Sequence, residues 1–147
     1  MQIAIVFVAL AFCLMTGLVF LIKKLSKSAM EEVYAGYPEH TRILTSPMAN
    51  CFGLKSGGMK HVRGNGILLL TSSELYFRML LPKKEILVPL RSIISVETPG
   101  SFPGKTKGRK LLKIDFRNIT GGTDSAAWLV DNLEKWVESI RESAELN

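Results

Sequence analysis

The stretch from residue 64 to residue 97 places the strongest limit on what this chain can fold into. It contains four short apolar segments in succession, which are residues 67–71, 75–81, 85–88 and 92–96. Each segment has the length of a strand, is rich in branched and aromatic residues, and is bounded by turn-forming residues. Pro82 and Pro89 would interrupt a helix here. The pattern therefore predicts a tight antiparallel meander.

Three further strands are predicted outside this stretch. Residues 109–117 alternate apolar and charged side chains, which is typical of a half-buried strand. Residues 125–130 predict a last short strand, and residues 47–56 predict a first strand that is only weakly marked. Residues 98–108, which are dense in glycine and proline, are predicted to form a loop.

The last element is predicted to be an amphipathic helix. Asp131 is a suitable N-cap and Glu134 stands at the N3 position of a variant capping box. Four apolar residues at helical spacing form one stripe: Leu133, Trp136, Val137 and Ile140. A helix with a single apolar stripe covers a sheet or another helix, so this one is expected to pack on the strands before it.

The pattern of these strands resembles the pleckstrin-homology-like superfamily, and within it the GRAM-like domains and their bacterial relatives. The resemblance covers residues 41–140 and rests on G-x-L-L-L-T from Gly66, L-Y-F from Leu75, V-P-L from Val88 and I-x-S-V-E from Ile93. It implies a mainly β fold, a barrel of about seven antiparallel strands capped by a C-terminal amphipathic helix. It carries no catalytic signature and therefore implies a fold rather than an activity.

The start of the chain is predicted to be a transmembrane helix. Residues 3–22 are apolar and uncharged, and 20 residues of helix span about 30 Å, the thickness of the bilayer's hydrocarbon core. A signal peptide would have a shorter apolar core preceded by Lys or Arg, and a soluble helix would have a polar face. Lys23, Lys24 and Lys27 follow, so we expect a single-pass protein with its N-terminus outside and its C-terminal domain in the cytoplasm.

Three parts are thus predicted: a transmembrane helix at 1–22, a linker at 23–40 and a pleckstrin-homology-like domain at 41–147. The linker contains good helix formers as far as Gly36. It is expected to continue the membrane helix or to form a short juxtamembrane helix that docks on the domain. A disordered tether is the alternative.

Little in the sequence indicates catalysis or a metal site. The cysteines and histidines number two each, and they have neither disulfide nor metal-ligand spacing. No nucleophile motif or paired-carboxylate site is present. Gly104-Lys105-Thr106 resembles the end of a phosphate-binding loop, but Pro99 replaces its first glycine and a strand follows where a helix is required. We expect no enzyme activity, no cofactor and no metal.

The positive charge is concentrated in the β part of the chain. Residues 41–130 hold 14 Lys and Arg against 5 Asp and Glu, whereas residues 131–147 hold 2 against 5. The cations lie in three segments: Lys55, Lys60 and Arg63; Lys83 and Lys84; Lys105, Lys107, Arg109 and Lys110. The resemblance implies that these are the β1–β2, β3–β4 and β5–β6 loops and that they gather at the open end of the barrel, where some family members bind phosphoinositides.

These cations, together with Phe102, make up the predicted lipid-binding site. Phe102 lies between two Pro-Gly pairs and is predicted to enter the membrane interface while the cations contact anionic headgroups. Two alternatives stay open: the cations are ordinary solvated loop residues, and Phe102 covers a sheet edge or the barrel mouth. The Lys60–Arg63 spacing is one residue longer than the family's phosphoinositide pattern, so charge-driven contact is expected in place of headgroup-specific recognition.

Two functions are therefore considered. The first is a non-catalytic binding module whose basic loops contact anionic membrane lipid. The second is a protein-interaction module that the helix holds at the membrane, with an unidentified membrane or cytoplasmic protein as its partner. Nucleic acid is not expected, because the basic loops lack the interleaved aromatic residues on which bases stack.

Overall fold

One long helix precedes an antiparallel sheet in the computed structural model, which describes residues 2–60, 63–102, 104 and 108–146. Helix α1 spans Gln2–Gly36 and helix α2 spans Leu133–Ser143. Seven strands lie between them: β1 Arg42–Leu54, β2 Gly64–Thr71, β3 Glu74–Met79, β4 Lys84–Pro89, β5 Ile93–Glu97, β6 Leu112–Arg117 and β7 Thr123–Leu129. Short 3-10 segments occur at Glu39–Thr41, Lys55–Lys60 and Leu90–Ser92.

The seven strands form one antiparallel sheet in the order β4-β3-β2-β1-β7-β6-β5. Buried residues from all seven strands and from α2 belong to a single core cluster, so the sheet curves around a common interior. The prediction of a mainly β fold with seven antiparallel strands and a C-terminal helix is confirmed. The long apolar helix at the start of the chain agrees with the same prediction.

The predicted meander comprises β2, β3 and β4, and its fourth segment lies elsewhere. β5 pairs with β6 and forms the opposite edge of the sheet from β4. The 3-10 segment Leu90–Ser92 separates β4 from β5 and redirects the chain. The turn-forming residues predict this break at the correct position, but they do not indicate which strand β5 pairs with.

Strand β1 begins earlier than the sequence indicates. Its pairing with β2 shifts register between Ser46 and Ala49, which is where Pro47 lies. Proline has no N–H to donate, so it fits a strand at such an irregularity. A second shift, against β7, occurs between Cys51 and Gly53, and Gly53 has a φ of 98°. With these two irregularities, β1 pairs with β2 over its first part and with β7 over its last.

Helix α2 packs its apolar stripe into the core as predicted. Trp136 and Ile140 are buried, and Leu133 and Val137 pack against the same cluster. The predicted N-cap is wrong by one residue, because Asn132 precedes the helix in the left-handed conformation with a φ of 54°. Asparagine tolerates that conformation better than most residues, and it makes no side-chain capping hydrogen bond here.

Candidate functional site

Helix α1 runs without a break through the predicted linker to Gly36, and its last turns lie along strand β3. The Tyr37 hydroxyl donates a 2.5 Å hydrogen bond to Glu74 at the start of β3, and its ring centroid lies 5.0 Å from that of Tyr76. Further along, Arg78 Nη2 near the end of β3 donates to Glu32 Oε2 at 2.7 Å. Residues earlier in α1 thus meet residues later in β3, so the helix and the strand run in opposite directions.

The same direction continues past the end of β3. Ile22 and Leu25 of α1 line a small cleft of about 180 Å³ whose other walls are formed by Met48, Asn65, Leu80 and Leu81. The apolar half of α1 therefore leaves the domain beside the β3–β4 turn. The side chains of residues 3–22 are all exposed.

Apolar burial holds this part of α1 to the outer face of the sheet. Ala29 and Val33 are buried in a cluster with Ile67 and Leu69 of β2 and Tyr76 of β3. The neighbouring β2 residues Leu68 and Leu70 point into the barrel core. Strand β2 is therefore buried on both faces, which explains why its sequence is continuously apolar rather than alternating.

An ion pair with a nearly buried partner adds to this contact. The Arg78 side chain is 9% exposed and that of Glu32 is 52% exposed, and Lys83 contacts the second oxygen of Glu32. The hydrogen bond from Lys83 and the charge of Arg78 hold the pKa of Glu32 below its usual range, against the opposing effect of burial. Lys83, one of the predicted lipid-binding cations, is therefore engaged in holding the helix.

We expect Glu32→Gln to loosen the docked turns of α1. The change leaves the guanidinium of Arg78, which is largely buried, without its carboxylate partner. Because the pKa of Glu32 is lowered by docking, its contribution is present above its ordinary value of 4.5 and is lost as the pH falls below that value. Protection factors of residues 29–37 in hydrogen exchange, which correct for the pH dependence of the intrinsic exchange rate, should therefore fall in the variant at neutral pH, and in the unaltered chain on acidification. Glu31→Gln, at an exposed neighbouring position, is the control and should leave exchange unchanged.

The first two basic loops do lie together. Leu80 N donates to Asn65 O at 2.9 Å, which joins the end of β3 to the start of β2. Lys55 and Lys84 are exposed. Arg63 stacks its guanidinium 4.1 Å from the ring centroid of Phe52. The side chain of Lys60, and all of Lys105 and Lys107, lie outside the described residues.

The third basic loop is attached at a different place, and the prediction that all three basic segments meet at one end is wrong for its described cations, Arg109 and Lys110. β1 ends with Leu54 opposite Ala126, whereas β6 starts with Leu112 opposite Trp128, toward the other end of β7. Arg109 Nη2 lies 3.5 Å from the carboxylate of Asp131, just before α2. Lys110 lines a groove with residues of α2, including Leu133 and Glu134. Because β6 runs antiparallel to both β5 and β7, the β5–β6 loop leaves the sheet at the end opposite the β6–β7 turn.

The connection that does meet the β1–β2 loop is the β6–β7 turn. Asp124, the second residue of β7, accepts hydrogen bonds from Ser56 N at 3.0 Å and from Ser56 Oγ at 2.6 Å. This pair fixes the 3-10 segment Lys55–Lys60 against β7. The basic end of the barrel is therefore built by the β1–β2 and β3–β4 loops, with the β6–β7 turn beside them.

Phe102 is buried, so the prediction that it is free to enter a membrane is wrong. Its side chain is 5% exposed and belongs to a cluster with Phe52, Leu111 and Ala127. The loop folds back over the sheet, with Leu111 N donating to Pro99 O at 2.8 Å. The alternative, in which Phe102 covers part of the sheet, is the correct one. Phe52 and Leu111 are each adjacent in sequence to a residue that faces the barrel core. Neighbouring residues face opposite sides of a sheet, so these apolar residues indicated that the outer face is also covered.

Phe102→Ala is expected to destabilise the domain and to leave lipid contact unchanged. Truncating a buried Phe typically costs about 3–5 kcal/mol, and a loop on an outer face can collapse onto the gap, so we expect the lower end of that range. Chemical denaturation measures the change. Ser101→Ala, at the exposed preceding position, is the control and should stay within about 0.5 kcal/mol. An unchanged unfolding midpoint for Phe102→Ala would show that this cluster is not a packed unit.

Two further properties bear on function. Within the described parts of the chain, no group of three or more His, Cys, Asp or Glu side chains is placed to hold a metal ion. Helix α1 is long and apolar enough to cross a membrane. A helix of this composition near the start of a chain is typical of both a membrane anchor and a signal sequence.

Comparison with protein-family models and with curated proteins finds no match. Among solved structures, a chain of the 8S snRNP assembly intermediate superposes with a TM-score of 0.52 at 14% identity, over 74% of this chain and 82% of that one. The C-terminal domain of an unknown protein from Leishmania infantum superposes with a TM-score of 0.52 at 15% identity, over 79% of this chain and 98% of that one. These identities show a likeness of fold alone. Seven antiparallel strands followed by a C-terminal helix fit a pleckstrin-homology-like fold.

Proposed function

We propose that this chain is a membrane-anchored, non-catalytic module related to GRAM-like domains, and that the basic end of its barrel contacts anionic lipid. The observation that carries the proposal is the docking of α1 along β3. Because α1 runs opposite to β3, its apolar half leaves the domain on the side of the β3–β4 turn. A bilayer around residues 3–22 would therefore face the basic end of the barrel rather than the end closed by α2.

The cations on this side belong to both the helix and the loops. Lys23, Lys24 and Lys27 follow the apolar run directly, and all three are exposed. Lys84 and Lys55 are exposed on the loops. Each basic side chain close to an anionic leaflet contributes about 1 kcal/mol, and tethering keeps such weak contacts occupied. Arg109 and Lys110, beside α2, are not part of this surface.

Sedimentation with liposomes tests the proposal, using a chain truncated immediately before Lys23. The truncation keeps the docked turns of α1, whose loss would expose Ile67, Leu69 and Tyr76. We expect binding to anionic liposomes that weakens with salt, and little binding to neutral ones. Replacing both Lys55 and Lys84 with alanine removes two contacts of about 1 kcal/mol each, so partitioning at low salt should fall by roughly 30-fold.

The control replaces Arg109 and Lys110 with alanine. It lowers the net charge by the same amount, but in the β5–β6 loop beside α2. This variant should bind as the unaltered chain does. Equal losses in the two double variants would mean that net charge, and not the basic end, governs binding. Absence of binding to either kind of liposome would favour the second function below.

A protein-interaction module is the second candidate, and the sheet edges favour it. β4 and β5 are the two edge strands, and Leu87 and Ile94 on them are about half exposed. An exposed edge can pair with an extended segment of another protein. A chain with Leu87→Asn and Ile94→Asn, which leave the net charge unchanged, would lose such a partner while keeping its lipid binding.

The proposed topology predicts that Asn118 stays free of sugar when the full chain is expressed in a glycosylating host. Asn118-Ile119-Thr120 is an acceptor sequence, and it lies in the β6–β7 turn, where Ile119 is fully exposed. A cytoplasmic domain never meets the glycosylation machinery. A mobility shift on gels that a glycosidase removes would place the domain on the other side of the membrane. The domain fused to a cleavable signal peptide is the positive control.

A further inference from the structure

We propose that an apolar tip on the domain, formed by Leu81 and Met48 beside Ile22 and Leu25, inserts into the interfacial zone of the bilayer. The inference rests on the proposed membrane anchor and assigns the surface that meets the lipid. These residues take the place of Phe102, which is buried. The occupant is the boundary between headgroups and acyl chains.

The four side chains are exposed and lie together. The Leu81 side chain is 72% exposed and that of Met48 is 49% exposed, and both line the cleft that contains Ile22 and Leu25. Single exposed apolar residues are ordinary on a protein surface, but a contiguous group marks a place where something else binds. Met48 also borders a second groove on α1, lined by Lys23, Ser26 and Met30 among others.

The height of the tip matches the membrane interface. Ile22 is the last residue of the uncharged run, and Leu25 follows it by about 4.5 Å along the helix axis. The polar zone of a bilayer adds roughly 5–8 Å to each side of the hydrocarbon core. A side chain that shares a cleft with Ile22 and Leu25 therefore lies inside that zone when residues 3–22 span the core.

Cations surround the tip, as they do in segments that bind membrane interfaces. Lys23 and Lys24 lie on the helix next to Ile22, Lys83 follows Leu81 in the turn, and Lys84 begins β4. Apolar insertion and attraction to anionic headgroups then act on the same surface. Because Lys83 also contacts Glu32, the turn is tied to the helix that sets its height.

The docked helix prevents the tip from turning away from the bilayer. Ala29 and Val33 are buried against β2 and β3, and Glu32, which lies between them on the helix, pairs with Arg78. These contacts lie within three turns of Ile22 on one continuous helix. The depth of Leu81 is therefore set by the position of α1 in the membrane and does not require a separate binding step.

Fluorescence quenching in lipid nanodiscs tests the insertion with the full chain. A Leu81→Cys variant, with Cys13→Ala to remove the exposed thiol, is labelled with an environment-sensitive fluorophore. Cys51 stays unlabelled because it is buried, and burial raises the pKa of its thiol to about 11. The discs contain phosphatidylcholine and phosphatidylserine, with a spin label near the headgroup of some lipids. We expect a blue-shifted emission and strong quenching at position 81.

Ser72→Cys is the matched control, because it lies in the exposed β2–β3 turn at the other end of β3. A label there should give an aqueous emission and no quenching by lipid. Unquenched, aqueous emission at position 81 would overturn the inference, and so would a label shielded from both the lipid and an aqueous quencher, which would indicate contact with another protein chain.

The outcome is separable from that of the proposed lipid affinity. Suppose that the label at position 81 is quenched in the full chain, while the chain truncated before Lys23 fails to bind anionic liposomes. This result would support the apolar tip and overturn the lipid affinity. The reverse combination would retain the lipid affinity and overturn the tip. As a second variant, Leu81→Ser in the truncated chain should lower liposome binding at high salt as well as at low salt, whereas Lys84→Ala should lower it at low salt alone.

Discussion

Trp136→Ala is expected to lower the free energy of unfolding by about 3–5 kcal/mol, as truncation of large aromatic side chains in cores does. The Trp136 side chain is 3% exposed and lies in the cluster to which all seven strands contribute. Together with Ile140 it is the buried part of α2, so its removal opens the interior where the helix covers it. Since small domains have about 5–15 kcal/mol of stability, the loss is a large share of the total.

Denaturant unfolding of the chain truncated before Lys23 measures this effect. Lys135→Ala is the matched control, because it changes the preceding, exposed residue of the same helix. Its effect should stay within about 0.5 kcal/mol, the usual range for surface positions. If Trp136→Ala left the unfolding midpoint where it was, α2 would not be a structural part of the core.

Gly66→Ala is expected to be comparably damaging, for a different reason. A Cβ at this position would lie 2.3 Å from the carbonyl oxygen of Arg78 and 2.6 Å from the ring of Phe77, both on the neighbouring strand β3. The side chain of Phe77 fills the space that glycine leaves open. Crowding a packed core costs about 1–3 kcal/mol, and we expect the upper end or more, because a backbone atom cannot move aside as a side chain can.

Gly100→Ala provides the comparison for this prediction. A Cβ at Gly100 would meet nothing within 4 Å. Its effect should lie within about 1 kcal/mol of zero, because losing the flexibility of glycine in the unfolded chain is mildly stabilising where the folded conformation permits. Thermal or denaturant unfolding of the two alanine variants measures the difference. Equal stability of both would mean that Phe77 does not pack over Gly66.

The strands and helices follow from local pattern, and their partners do not. Hydrophobic period and turn residues place β2, β3, β4 and α2 close to their observed bounds. The position of β5 at the far edge of the sheet depends on pairing between distant residues, which no local pattern encodes. The docking of α1 left one trace, the unbroken apolar run Ile67–Leu70, because a strand covered on both faces does not alternate.

The positions of the basic residues in the sequence did not reveal what those residues contact. A lysine has the same sequence signature whether it meets solvent, lipid or a carboxylate, and Lys83 contacts Glu32 from 51 residues away. Phe102 was expected at a surface because its loop is rich in glycine and proline, yet that loop folds back to reach Phe52. Leu81, in contrast, is exposed beside Ile22 and Leu25 of α1, and its neighbours Pro82 and Lys83 give this segment the sequence pattern of an ordinary turn.

Because α1 is continuous from the apolar run to the domain, the two parts form one rigid unit. The number of residues between them fixes the rotation and the distance of one part relative to the other. One residue added between Ile22 and Ala29 would swing the domain about 100° around the helix axis and lift it by about 1.5 Å. Four added residues would leave a rotation of only about 40° while raising the domain by about 6 Å. A rotation or a piston shift of the apolar half would in turn reach the domain undiminished, since no flexible joint separates α1 from its docking face on β2 and β3.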